Sequence, residues 1–149
     1  MDIRRYIDLA INREIRRVKF NDGITSLFHV FDLIGDKFQK IKANSTHGAV
    51  GTMAIDKGLS AAINAKSLCK LYRHPSDKQD VSAFGKGIDS AIGKIVSTVK
   101  SILETEKEYD NSNLAVVNTG HSILKLASVA LKSKENTVAD ALAGFKKKK

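Results

Sequence analysis

The chain has one cysteine, one proline and no tryptophan among its 149 residues, and only 6% of it is aromatic. The lone Cys69 leaves no partner for an intrachain disulfide, which fits a reducing compartment. With Pro75 as the single proline, long helices meet few breakers, and the scarcity of alternating β-branched runs leaves a sheet hard to place. No stretch approaches the roughly 20 apolar residues that cross a bilayer. The start, Met1-Asp2-Ile3-Arg4-Arg5, alternates charge with apolar residues where a signal peptide carries an uninterrupted hydrophobic run. These absences predict an intracellular, cytoplasmic protein or a component of a virus-like particle, with no signal peptide and no transmembrane segment.

Catalytic and metal-binding patterns are also missing. The four histidines, His29, His47, His74 and His121, are scattered, and no two fall at the i, i+4 spacing of a helical metal pair. Cys69 lies on an apolar helical stripe, where a free cysteine behaves as a small hydrophobe rather than a nucleophile. Phe84-Gly85-Lys86-Gly87 lacks the Gly-x-x-x-x-Gly-Lys-Ser/Thr spacing and the preceding strand of a phosphate loop. The acidic run Glu104, Glu106, Glu108 lacks the oxygen-rich loop of a calcium site and reads as a solvated helix end. The sequence thus predicts no enzyme, no cofactor, no metal and no small-molecule substrate.

What is present is helical periodicity and an uneven distribution of charge. Apolar spacing predicts a first helix from Asp2 to Lys19, with Ile3, Ile7, Ile11, Ile15 and Val18 on one stripe. Phe20-Asn21-Asp22-Gly23 reads as a turn, followed by a helix to about Ala43 through Ile24, Leu27, Phe28, Phe31, Ile34, Phe38 and Ile41. Further helices are predicted over Val50–Tyr72, from an Asp80 cap to about Tyr109, and over Leu114–Lys132. A short final helix, capped by Asn136-Thr137, carries Val138, Leu142 and Phe145. The expected architecture is all-α: an irregular antiparallel bundle of five or six helices, a single domain over 1–145 with a basic tail at 146–149.

Lys plus Arg number 25 against 16 Asp plus Glu, a net charge of +9. Most of that excess lies at the two ends: Arg4, Arg5, Arg13, Arg16, Arg17 and Lys19 in the first helix, and Lys146, Lys147, Lys148 and Lys149 at the other terminus. At about 100° per residue, Arg5, Arg13 and Arg16 project opposite the isoleucine stripe. Clustered cations of this kind attract polyanions. Arg5, Arg13, Arg16 and Arg17, with Lys146 to Lys149, are therefore the candidate polyanion-binding residues. Aromatic residues lie mostly on core stripes, so contacts to nucleic acid would go to its backbone and be independent of base sequence.

The helix beginning near Asp80 has an unusually small profile, and Gly85, Gly87, Ala91 and Gly93 are the candidate self-association face. Together these features favour a non-enzymatic structural or assembly protein, of virion or packaging type, that self-associates and binds nucleic acid through phosphates. A membrane-surface amphipathic helical protein is the alternative, and an adaptor bundle for protein partners is a third reading.

Overall fold

The computed structural model describes residues 2–44, 49–73, 81–108 and 114–146, with side chains from Met53 in the second helix and to Ala141 in the last. Four helices form it: α1 (Ile3–Asn44), α2 (Ala49–Tyr72), α3 (Val81–Lys107) and α4 (Leu114–Lys146). No strand occurs among the described residues.

The count is four rather than five or six, and two expected breaks account for the difference. Phe20-Asn21-Asp22-Gly23 is helical, so the first two predicted helices are one. The reason is tertiary: Phe20 and Ile24 are both buried and open the core stripe, and Gly23 provides close approach to α4 instead of a turn. The second expected break, at Asn136-Thr137, is also absent. The Thr137 hydroxyl donates to the Ser133 carbonyl 2.7 Å away, a bond inside a continuing helix rather than a cap. The other helices start and stop close to their predicted ends. The predicted Asp80 cap and Tyr109 end lie outside the described residues.

The four helices form a ring in which α1 packs on α2 and α4, and α3 completes the square between them. The diagonal is bridged by side chains, as where Phe20 of α1 meets Phe84 of α3 with ring centroids 6.1 Å apart. The buried residues of α1 are Phe20, Ile24, Leu27, Phe31, Ile34, Phe38 and Ile41, spaced alternately by four and three. That heptad-like rhythm is the seam of a left-handed bundle. Facing it are Ala61, Ala62, Ala65 and Cys69 of α2, Ile88, Ile95 and Val99 of α3, and Ile123, Ala127 and Ala130 of α4, all buried. Large residues on α1 thus meet small ones on α2 and α4, which lets the helices come close. Glu106, expected at a solvated helix end, is instead buried in α3.

A projecting amphipathic arm as the candidate functional site

The core stripe of α1 begins only at Phe20. All residues from Asp2 to Lys19 are exposed except Arg16, which is half-buried. At 1.5 Å per residue, this stretch extends about 25 Å past the start of the buried stripe. It is a helix with its own start: the Asp2 carboxylate accepts from the Arg4 backbone N–H at 3.1 Å, and the Asp2 carbonyl accepts from the Tyr6 N–H. Arg17 and Glu14 close an ion pair one turn apart at 2.7 Å.

The arm stays outside the core because its pattern is out of phase with the core seam. Continued backwards in steps of three and four, the buried positions of α1 arrive at Arg17 and Arg13, which cannot serve as core residues. The arm's own apolar stripe lies on the opposite side, roughly 160° around the helix from the seam. Ile3, Ile7, Ile11, Ile15 and Val18 are accordingly 74%, 51%, 51%, 47% and 48% exposed. Five aliphatic side chains therefore face away from the bundle with nothing over them among the described residues. The Arg face, containing Arg5, Arg13, Arg16 and Arg17, lies on the bundle side and its flanks.

The C-terminal end of α4 runs to the same end of the molecule. Gly23 sits against Thr137, and Lys19, Gly23, Ser133, Thr137 and Asp140 line one shallow groove of about 380 Å³. Because α4 is antiparallel to α1, its last turns continue from there alongside the arm and end at Lys146. The described end of α4 and the root of the arm therefore lie side by side. Lys147, Lys148 and Lys149 lie outside the described residues, and the side chain of Lys146 is not described.

The small-residue face of α3 is divided. Gly85 is buried against Val138 of α4, Gly87 faces Leu68 of α2, and Ala91 is buried. These three positions work inside the bundle. Only Gly93 is open, with nothing within 4 Å of where a Cβ would stand. It lies with Ser90 and Ser97 in a broad α2–α3 groove of about 850 Å³.

His29 and His121 are exposed on α1 and α4, whereas His47 and His74 lie outside the described residues. No group of three potential metal ligands occurs among the described residues. Burial pushes the Cys69 thiol up to about pKa 12, so it stays protonated and unreactive. One expectation about hydropathy changes: within Leu114–Ala141 of α4 an 18-residue window reaches a mean hydropathy of 1.4, so this helix is long and apolar enough to cross a membrane by length and composition. In this fold it packs against α1 and α3, leaving Leu114, Val129 and Leu131 exposed.

No family model matches the chain, and no curated protein and no solved structure is significantly similar to it. The site residue that sequence reading missed is not a charged one. The isoleucine stripe was visible, but its exposure was not, because the break at Phe20–Gly23 would have let the first helix fold back onto the core.

Proposed function

We propose that the protein is a non-enzymatic, peripheral membrane-binding bundle whose N-terminal arm lies in the interface of an anionic membrane. The observation that carries this reading is the exposed stripe Ile3, Ile7, Ile11, Ile15 and Val18 on a helix whose remaining surface bears Arg5, Arg13, Arg16, Arg17 and Lys19, with Arg4 at the stripe itself. An aliphatic face backed by cations is the pattern of a helix lying in the headgroup region, its apolar side among the acyl chains. Each cation near an anionic surface adds about 1 kcal/mol. Because the stripe points away from the core, α1 can lie along the surface with α2, α3 and α4 stacked behind it.

Nucleic acid is the second reading, favoured by the arginines of the arm. It uses Arg5, Arg13, Arg16 and Arg17 but leaves five aliphatic side chains in water. Pairing with a second copy covers the aliphatic stripe but brings two strongly basic arms together. An anionic lipid surface accounts for both features at once.

The test is flotation of the full chain with phosphatidylcholine vesicles, with and without phosphatidylserine, at low and moderate salt, with a random DNA duplex as competitor. Binding is expected only to the anionic vesicles, weakening with salt, and it should be lost in Ile11→Asp. Binding to the duplex with unchanged affinity in Ile11→Asp, and none to vesicles, would replace the membrane with a nucleic acid.

A further inference from the structure

At the root of the arm, α1 and α2 enclose a cleft of about 200 Å³. Its floor is apolar, made by Ile24, Phe28 and the buried Cys69, and its rim carries His29, Lys70 and Arg73. The ammonium groups of Lys66 and Lys70 lie 5.2 and 5.7 Å from the centroid of the Phe28 ring. Lys66 is committed to Asp32 at 2.7 Å, and that bond holds the Asp32 carboxyl below its usual range. Among the described residues, no carboxylate pairs with Lys70 or Arg73. The cleft is thus a small apolar pocket with two cations at its mouth that no carboxylate among the described residues compensates.

Its position links it to the arm. Continuing the spacing of the exposed stripe from Ile15 and Val18 leads through Asp22 to Thr25 and His29, the α1 wall of the cleft. The cleft therefore opens on the same side of α1 as the isoleucines. Nearby, on the same side of the helix, the buried Asn21 Oδ1 has no hydrogen-bond partner among the described residues, while Thr25 donates to the Asn21 carbonyl at 2.9 Å.

We infer that this cleft binds the phosphate of an anionic lipid headgroup, with Lys70 and Arg73 on the phosphate and the Ile24–Phe28 floor against the glycerol and first acyl carbons. Arg suits a phosphate because its planar fork donates two parallel bonds, and Lys adds a point charge held close by the Phe28 ring. The inference builds on the membrane reading of the arm, but the site stands apart from the isoleucine stripe and can be probed without a membrane.

The probe is short-chain dihexanoyl phosphatidic acid, kept monomeric, titrated into the full-length protein with amide shifts as the readout. Saturable shifts confined to residues 24–29 and 69–73 are expected. Lys70→Gln/Arg73→Gln should weaken binding by about tenfold or more, since it removes charge-assisted bonds, and Ile11→Asp should leave it unchanged. No shift in the cleft would overturn the inference while leaving the arm's vesicle binding standing. Cleft binding with no vesicle binding would overturn the arm reading and leave the site. Inorganic phosphate binding as tightly as the lipid would make this a free-phosphate site and overturn the lipid assignment.

Discussion

Gly23 of α1 and Thr137 of α4 are in such close contact that a Cβ on Gly23 would overlap the Thr137 hydroxyl oxygen. This contact fixes how far α4 travels along α1, and so how much of α1 is left as the arm. Thr137 has little freedom to retreat, being buried, β-branched and hydrogen-bonded to the Ser133 carbonyl. Gly23→Ala should therefore destabilise the fold: overpacking costs about 1–3 kcal/mol, and the helix propensity gained returns up to about 1. A net loss of about 1 kcal/mol is expected in chemical denaturation, and it should shrink when Thr137 is changed to Ala in the same chain.

Two other glycines should respond in opposite directions. A Cβ at Gly58 would stand 2.5 Å from Cζ of the buried Phe38 ring, whereas Gly93 has nothing within 4 Å. Gly58→Ala should lose roughly 1–3 kcal/mol, because the ring has no space to move into. Gly93→Ala should gain up to about 1 kcal/mol from helix propensity alone. Thermal unfolding of the two variants separates the cases, and a stability loss in Gly93→Ala would mean that this face is covered by something.

The Cys69 thiol gives a pH prediction. Its folded pKa lies near 12, raised by burial from a reference value of 9.0. Below pH 9 both folded and unfolded thiols are protonated, so this group leaves stability independent of pH. Between about 9 and 12 the unfolded thiol ionises first, so stability falls as pH rises. Native protein should react with a thiol reagent at pH 8 only as fast as it opens, and Cys69→Ala should flatten the alkaline decline. Rapid stoichiometric labelling of the folded protein would show that Cys69 is not buried.

The arm should be the least protected helix in solution. A lone helix of this length is marginal without packing. Amide exchange over residues 3–13, beyond the end of α4, should therefore show protection of roughly tenfold or less, while α1 from Phe20 onward shares the protection of the bundle. Adding anionic vesicles should raise protection in the arm alone. Core-level protection of the arm in the free protein would mean that another element covers it.

Much of this fold is legible in the sequence, and the exceptions have physical causes. Single-chain periodicity finds α2 and α3 nearly to their ends, because Ile, Val and Ala positions repeat cleanly and Asn- and Pro-containing sequence interrupts the repeat. It fails where local chemistry and tertiary packing disagree. Gly23 and Asn136-Thr137 carry turn and cap signals, yet both lie at the α1–α4 contact, where closeness matters more than local preference. The candidate site was half-visible. The arginines stand out by composition, but the phase shift between the isoleucine stripe and the Phe20–Ile41 seam acquires meaning only once both belong to one continuous helix.

Because the chain has no tryptophan, one placed in the arm is a spectroscopic reporter free of background. Ile11→Trp puts an indole at the middle of the exposed stripe, where half-buried substitution in the bundle is not at issue. With phosphatidylserine vesicles its emission should shift to the blue, reversibly with salt, and it should stay unshifted with phosphatidylcholine vesicles or a DNA duplex. Emission that ignores the anionic vesicles, or that shifts equally with the duplex, would show that the isoleucine stripe does not enter a lipid interface.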